Sequence, residues 1–300
     1  MKAALLIGFG GADKLQVGEA PEPAVHDGEV KVRVIATSIN PIDWKLREGA
    51  KRPGLALELP AILGRDAAGE VVAIGAGVTR VRVGARVAGL VMGSYGEYVV
   101  AKEAAWAEMP ASLKFDDAAA IPLVALTGGE LIDQGVQPRT GETVLVTGAV
   151  GSVGRAAVYT AKARGAKVWA GVRSSQRTAA AQLGAEGVIA LDDEHAQLPV
   201  FDAIADTVGG ATIQKLLGNV RKGGVIATVL GEPPGARDRG LEVRHVWAEA
   251  DHERLAALMH AVAEGALVIP IAKRLPLAQI RQAHELAERG AGGKVIVEMP

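Results

Sequence analysis

A glycine-rich loop between a candidate strand and a candidate helix is the most informative chemical feature of the chain. Residues 143–147 read as a buried strand, and Ala149-x-Gly151-x-x-Gly154 follows, which is the dinucleotide-binding fingerprint with alanine at the first glycine. Gly151 would let the backbone approach a pyrophosphate, and Gly154 would let the helix pack against the strand. A glycine turn in an unrelated α/β protein is the alternative. The predicted phosphate-binding residues are Ala149, Val150, Gly151, Ser152 and Val153.

The charges near the second strand favour NADP(H) over NAD(H). An acidic residue at the end of that strand would bind the ribose 2′-hydroxyl of NAD, but residues 143–185 contain no Asp or Glu. The candidate strand 167–172 leads directly into Arg173 and Ser174. A guanidinium beside a hydroxyl group suits a 2′-phosphate, so we predict that Arg173, Ser174 and Arg177 bind it. The alternative for Arg173 is an ordinary solvated surface charge.

Alternating strands and helices predict the sheet that positions this loop. Apolar strands are predicted at 143–147, 167–172, 187–190, 201–206 and 224–230, with helices at 153–164, 176–183 and 211–220. This alternation indicates an α/β fold with a doubly wound parallel sheet, as in a Rossmann domain. The preceding residues read as short strands between glycines, which predicts a small β-rich domain. These strands are 30–37, 71–74, 81–83, 86–90 and 98–101. A helix at 251–264 and a strand–helix–strand tail at 269–300 follow.

Composition excludes several classes of function. The chain has 300 residues, and 33 Lys and Arg stand against 34 Asp and Glu, so a nucleic-acid binder or a polybasic membrane binder is not expected. The absence of cysteine excludes disulfides, cysteine-ligated zinc, iron–sulfur clusters and thiol catalysis. It also fits a reducing compartment. We therefore expect a cytoplasmic protein whose partner is a small molecule.

Further motifs follow one another from the start of the chain to its end. They are Met1-Lys2-Ala3, Ser38-x-Asn40-x-x-Asp43-x-x-x-Arg47-x-Gly49, Gly64-Arg65-Asp66-Ala67-Ala68-Gly69, Asp206-Thr207-Val208-Gly209-Gly210 and Gly293-Lys294-Val295-Ile296-Val297. With the glycine loop, this series resembles the medium-chain dehydrogenase/reductases, in their zinc-independent quinone oxidoreductase (ζ-crystallin-like) branch. The resemblance implies a GroES-like catalytic domain at 1–117, a Rossmann NADP(H)-binding domain at 118–260, a return to the catalytic domain at 261–300, and a homodimer.

Two departures from the zinc-dependent relatives predict chemistry without a metal. Those relatives carry Cys where this chain has Asn40 and His where it has Arg65, and neither replacement is a good zinc ligand. The six histidines show no metal-ligand spacing such as HExxH. Without a Lewis acid, reversible oxidation of an alcohol is hard, whereas hydride addition to a quinone or an enone spreads negative charge onto an oxygen.

Such a reaction requires that the substrate is positioned and that its oxygen receives hydrogen bonds. Asn40, Lys45 and Tyr95 are the candidate donors. Their alternatives are loop capping for Asn40, surface exposure for Lys45 and core packing for Tyr95. Asp43 and Arg47 are expected to shape the loop that carries Asn40.

The predicted function is an NADPH-dependent, metal-independent reductase of quinones or α,β-unsaturated carbonyls. An enoyl-thioester reductase and a noncatalytic NADPH-binding protein are the alternatives. The substrate pocket would depend on the loops 53–60 and 231–240, which carry no diagnostic pattern. The resemblance places Thr127 near the nicotinamide, with helix capping as its alternative. The remaining predicted cofactor contacts are Val208, Val229 and Leu230.

Overall fold

The computed structural model describes residues 1–50 and 57–300, which form two compact units. The first unit contains Met1–Leu123, Ala250–Gly265 and Ile269–Pro300, and the second contains Val124–Glu249 and Ala266–Val268. These bounds differ from the predicted 1–117, 118–260 and 261–300 at three places. Residues 118–123 and 250–260 belong to the first unit, and 266–268 belong to the second.

Strands and helices are numbered here in chain order. The strands of the described residues are β1 (Lys2–Leu6), β2 (Leu15–Glu19), β3 (Glu29–Ser38), β4 (Ala61–Ile62), β5 (Asp66–Ile74), β6 (Arg86–Leu90), β7 (Tyr98–Lys102), β8 (Trp106–Glu108), β9 (Thr143–Thr147), β10 (Lys167–Val172), β11 (Gly187–Ala190), β12 (Phe201–Asp206), β13 (Val220–Thr228), β14 (Glu242–His245), β15 (Ile271–Pro276) and β16 (Lys294–Glu298). The α-helices are α1 (Pro41–Arg47), α2 (Phe115–Ala119), α3 (Pro122–Glu130), α4 (Ser152–Ala163), α5 (Arg177–Ala181), α6 (Gly210–Leu216), α7 (His252–Ala263) and α8 (Ile280–Glu288). None of the described helices combines the length and the apolar character needed to cross a membrane.

The first unit is organised around β3. Its larger sheet has the order β15-β16-β3-β5-β6-β8, and β7 pairs with the first half of β3. Val30, Val32 and Val34 are buried while Arg33 is exposed, as the period-2 pattern of a half-buried strand predicts. The chain leaves β3 at Ser38 and enters α1 at Pro41, with two residues, Ile39 and Asn40, between them. The central strand of this sheet therefore places Asn40 at a strand-to-helix junction.

The predicted strand at 81–83 is wrong. These residues lie in a connection that contains a turn, with Gly84 at a φ of +85°. Val81 is buried whereas Val83 is 58% exposed, so the alternation reflects a loop anchored by one side chain. The edge strand β14 was not predicted from the sequence, because Val243 is the one apolar residue among its four residues.

The second unit confirms the predicted doubly wound sheet. All neighbours in the order β11-β10-β9-β12-β13-β14 are parallel. This is the Rossmann order, in which the strand sequence reverses direction between the first and fourth strands, here β9 and β12. Ligands of such sheets bind beyond the carboxyl ends of the strands at that reversal. The expected ligand site therefore lies next to Thr147 and Asp206, the last residues of these two strands.

Small aliphatic side chains hold the helices against this sheet. Val144 and Val146 of β9 pack in one apolar cluster, and Leu145 packs in the cluster on the opposite face. A Cβ added to Gly128 of α3 would lie 2.4 Å from the carbonyl oxygen of Val153 in α4. The two helices approach that closely only because Gly128 has no side chain.

Candidate active site

The glycine loop connects β9 to α4 in a shape that only glycine allows at two positions. Gly148 has a φ of +64°, and the Gly151 N–H donates to its carbonyl at 2.9 Å. A Cβ on Gly154 would lie 2.2 Å from the same carbonyl oxygen, whereas one on Gly151 would lie 3.2 Å from it. The N-cap residue of α4 is Gly151, which has no side chain that could cap the helix. The first N–H groups of the helix, on Ser152 and Val153, are therefore free of intrahelical partners and suited to bind an anion.

A buried carboxylate, that of Asp206, organises the edge of the sheet beside this loop. Its Oδ1 accepts hydrogen bonds from the Thr147 hydroxyl at 2.7 Å, from the Gly209 N–H at 3.0 Å and from the Val208 N–H at 3.2 Å. Its Oδ2 accepts one from the Thr228 hydroxyl at 3.1 Å. One side chain thus ties the carboxyl ends of β9, β12 and β13 together.

The predicted cofactor residues Val208, Val229 and Leu230 follow from this arrangement. The Val229 N–H donates to the Asp206 carbonyl at 3.3 Å, and the Leu230 N–H donates to the Thr228 hydroxyl at 3.0 Å. Val208 is 46% exposed, whereas Val229 and Leu230 are half-buried. The structure therefore brings these predicted contacts to the same sheet edge as the glycine loop. Thr127 is buried on α3, next to the glycine that packs against α4.

The predicted 2′-phosphate residues lie at the end of β10 and carry a partner that the sequence analysis missed. Arg173, Ser174 and Arg177 are exposed. The Ser174 N–H and hydroxyl both donate to Oδ1 of Asp192, at 2.7 and 2.8 Å. The acid-free stretch 143–185 therefore does not describe the whole surroundings of this site. The predicted parallel sheet could have indicated this contact, because Asp192 shortly follows β11 and Ser174 shortly follows the neighbouring strand β10.

In the first unit, Asn40 lies in a buried polar cluster with two partners from distant parts of the chain. Its Nδ2 donates to Asp66 Oδ2 at 2.8 Å, and its Oδ1 accepts from Lys294 Nζ at 2.5 Å. Lys294 Nζ also lies 3.3 Å from Asp66 Oδ2, and burial lowers the pKa of Lys294 against the opposing effect of that carboxylate. Ser38 donates to the same oxygen at 2.5 Å. The Asn40 side chain is thus fully buried and bound on both sides.

Asp43 and Tyr95 form a second buried pair next to this cluster. Asp43 Oδ2 accepts the Asn40 N–H at 2.8 Å and the Tyr95 hydroxyl at 3.0 Å. Among the described residues no donor reaches Asp43 Oδ1. Burial, with a further contribution from the nearby Asp66 charge, raises the pKa of Asp43 to about 7. Burial also raises the pKa of Tyr95 well above its ordinary value, so its hydroxyl keeps its proton and donates.

Arg47 and His284 join α1 to α8. The Arg47 guanidinium binds the carboxylate of Glu288, donates to the Gly10 carbonyl at 2.9 Å and lies 3.2 Å from His284 Nδ1. Burial, together with the Arg47 charge, lowers the pKa of His284 to about 3, so its ring is neutral at physiological pH. The predicted role of Arg47 in shaping the loop is consistent with these contacts. Lys45, on the same helix, is half-buried.

The structure places the remaining sequence predictions as follows. Arg65 donates from Nη1 to Met92 Sδ at 2.9 Å. In the described part of the chain, no group of three or more His, Asp or Glu side chains could hold a metal ion. Residues 53–56 of the candidate pocket loop 53–60 lie outside the described residues. The roles predicted for Asn40, Lys45 and Tyr95 stay predictions.

Comparison with known proteins shows similarity over both units. Family models described as the alcohol dehydrogenase GroES-like domain and as zinc-binding dehydrogenase match residues 26–111 and 183–297. The chain is 32% identical to a quinone oxidoreductase of Pseudomonas aeruginosa, over 96% of this chain and 97% of the relative. The structure of the quinone oxidoreductase from Coxiella burnetii has a TM-score of 0.90 at 29% identity, over 100% of this chain and 99% of its own. That of Escherichia coli quinone oxidoreductase, complexed with NADPH, has a TM-score of 0.85 at 26% identity, over 99% of this chain and 100% of its own. The GroES-like match confirms the nature of the β-rich domain.

Replacing Asp43 or His284 should change the pH dependence of stability in opposite directions. Folded Asp43 keeps its proton up to a pKa of about 7 but loses it near 3.8 when unfolded, so its contribution falls as pH rises between those values. Folded His284 stays neutral down to a pKa of about 3 but binds a proton below 6.5 when unfolded, so its contribution rises with pH. Each slope is at most about 1.4 kcal/mol per pH unit.

The free energy of unfolding, measured by denaturant titration between about pH 4 and 6.5, should therefore acquire a more positive slope in Asp43→Asn than in the unmodified protein. In His284→Asn, whose carbonyl can still accept from Arg47, the slope should become more negative. If both variants show the same slope as the unmodified protein, burial does not shift the pKa values of Asp43 and His284 in the folded state as described.

Gly151→Ala and Gly154→Ala should separate binding from stability. The Cβ at Gly154 would meet the Gly148 carbonyl oxygen at 2.2 Å, so we expect a loss of about 1–3 kcal/mol in the free energy of unfolding. The Cβ at Gly151 meets that oxygen at 3.2 Å, so the fold should tolerate it, while NADPH affinity should fall about tenfold because the backbone is no longer open to a pyrophosphate. Gly218→Ala, with nothing within 4 Å, is the control. Denaturant unfolding and NADPH titration measure the two effects, and unchanged NADPH affinity in Gly151→Ala would argue against this loop as the phosphate site.

Proposed function

Since the chain belongs to the quinone oxidoreductase branch of the medium-chain dehydrogenase/reductase superfamily, we propose that it is an NADPH-dependent reductase of quinones or α,β-unsaturated carbonyls that needs no metal. The observation that carries the proposal is the dinucleotide cradle at the carboxyl edge of the parallel sheet. At that edge, the glycine loop follows β9, and Asp206 joins the ends of β9 and β12, the two strands between which the strand order reverses. The homodimer and the cytoplasmic location stay predictions.

The residues of the second unit would hold the cofactor at this edge. NADPH supplies the hydride when it is bound. The N–H groups of Ser152 and Val153 would bind its pyrophosphate, because they belong to the first turn of α4, directly after the glycine loop. Arg173 would bind the 2′-phosphate through a charge-assisted hydrogen bond. This division follows the order in which the dinucleotide fingerprint uses its elements.

The side chains at the two positions compared with zinc ligands support a reaction without metal. Both polar atoms of the Asn40 side chain already bind Asp66 and Lys294. Arg65 carries a cation, which repels a second cation. A saturated ketone or an alcohol would then lack a Lewis acid for its oxygen, whereas a conjugated acceptor delocalises the charge that arrives with the hydride.

The buried contacts also refine the roles of the three candidate donors. Asn40 and Tyr95 are fully buried and hydrogen-bonded within the first unit, so we propose that they position α1 and the loop that precedes it. Lys45 is half-buried on α1, unlike the fully buried Asn40 and Tyr95. Of the three, Lys45 is therefore the one best suited to donate a hydrogen bond to a substrate oxygen.

The substrate class can be tested by following NADPH oxidation with a quinone, an enone, an enoyl thioester and a saturated ketone. We expect the quinone or the enone to be reduced ~10²-fold faster than the saturated ketone, because only a conjugated acceptor tolerates the absence of a Lewis acid. Dialysis against a chelator should leave the rate unchanged. Equal turnover of the saturated ketone, or a rate that depends on zinc, would refute the proposal. Preference for the thioester would favour an enoyl-thioester reductase, and NADPH binding without turnover of any acceptor would favour a binding protein.

The cofactor preference can be tested at Arg173. We expect a higher kcat/KM with NADPH than with NADH, and Arg173→Glu should narrow or reverse this preference, because the carboxylate repels the 2′-phosphate. Lys222→Glu, a charge reversal at another exposed position of the second unit, should leave the preference unchanged. If the unmodified protein uses both cofactors with equal kcat/KM, the assignment of NADPH is wrong.

A further inference from the structure

A carboxylate already occupies the position next to the predicted 2′-phosphate site. Asp192 Oδ1 accepts two hydrogen bonds from Ser174, one from its backbone N–H at 2.7 Å and one from its hydroxyl at 2.8 Å. Ser174 begins the single helical turn Ser174–Gln176 that leads into α5. The two donors that Ser174 could offer to an anion are therefore both directed at a carboxylate of the chain itself.

The parallel sheet explains why Asp192 lies there. Val172, the last residue of β10, is in register with Ala190, the last residue of β11. Ser174 and Asp192 each follow these residues by two positions, so they leave the sheet side by side. The contact thus results from the register of two adjacent strands and not from a chance approach of two loops.

Asp192 carries its charge at neutral pH. The hydrogen bonds from the Ser174 hydroxyl and N–H hold the pKa of this exposed carboxyl below its usual range, and the nearby Arg173 charge acts in the same direction. Arg173 therefore faces a permanent negative charge as well as any phosphate that binds. An incoming phosphate group must compete with Asp192 both for Ser174 and for the field of Arg173.

We propose that Asp192 is a specificity residue that limits the preference for NADPH by competing with the 2′-phosphate for Ser174. The inference rests on the proposed function, in which the 2′-phosphate binds beside Arg173. It concerns the end of the third strand of the Rossmann unit, whereas the familiar acidic determinant of NAD binding stands at the end of the second.

The two cofactors differ chemically in the way that this carboxylate can detect. A ribose 2′-hydroxyl carries a hydrogen that it can donate to Asp192. A 2′-phosphate is anionic, accepts hydrogen bonds and is repelled by a carboxylate. Asp192 consequently disfavours NADPH without disfavouring NADH. Arg173 acts in the opposite direction, and the balance of the two side chains sets the preference.

Direct binding of NADPH and of NADH to the full chain tests the inference without requiring turnover. In Asp192→Asn the amide oxygen can still accept both Ser174 hydrogen bonds, but the charge is gone. We expect NADPH affinity to rise about threefold to tenfold at low salt, with NADH affinity unchanged or weaker. The gain should shrink in 1 M salt, where the Debye length is about 3 Å.

Asp193→Asn is the matched control, because it removes the same charge from the adjacent residue. Asp193 accepts the His195 N–H and makes no contact with Ser174 that the structure describes. We expect its ratio of NADPH to NADH affinity to equal that of the unmodified protein. A second variant, Ser174→Ala, removes the contested hydroxyl, and in that background Asp192→Asn should give a smaller gain.

The possible outcomes separate this inference from the proposed function. An unchanged affinity ratio in Asp192→Asn, or equal changes in Asp192→Asn and Asp193→Asn, overturns the role of Asp192 and leaves the proposed function intact. Failure of the unmodified protein to bind either cofactor overturns the proposed function and the inference together. Should Asp192→Asn fold poorly, the Ser174→Ala protein decides: an NADPH affinity that does not change there shows that Ser174 is not contested, and the inference fails.

Discussion

The hydrogen bonds of the Asp206 carboxylate are the interaction on which the candidate cofactor site depends most directly. Parallel strands end at a common edge, but nothing in the sheet itself fixes the path of the chain beyond that edge. Asp206 accepts hydrogen bonds from groups at the ends of three strands, so it fixes these paths relative to one another. An ionised carboxylate is costly to bury without donors, and four donors at fixed positions offset that cost. The charge thus forces the loops into one arrangement.

The first unit uses the same device with a different set of partners. Asp66 is buried at the start of β5 and binds Ser38, Asn40, Lys294 and the N–H of Leu123. Here the opposing charge is a lysine, so the pair is a buried ion pair, and the loss of either partner would leave the other charge buried without compensation. The three side chains come from β3, from the loop after it and from β16. The three segments are held in one arrangement because both buried charges then keep their partners.

Much of the fold could be predicted from the sequence because it depends on local periodicity. The alternating valines of β3 and the apolar strands of the parallel sheet were recognisable without any knowledge of contacts. The residues that escaped prediction are those whose role depends on a partner far along the chain. Asp192 was missed because only strand register places it beside Ser174, and Lys294 because it meets Asn40 across 254 residues of sequence. Asn40 was singled out by its motif, but the motif could not show that Asp66 and Lys294 bind the two sides of its amide.

The position of β16 in the sheet has a consequence for the order in which the two units can fold during synthesis. This strand lies between β15 and β3, and its first residue is Lys294, which forms an ion pair with the buried Asp66. The first unit therefore lacks an inner strand and a counter-ion until Lys294 and the rest of β16 have been synthesised. The second unit draws almost all of its chain from Val124–Glu249 and needs no such late addition. During translation, the parallel sheet of the second unit can thus form while β3 still lacks its neighbour β16 and Asp66 of β5 still lacks its counter-ion.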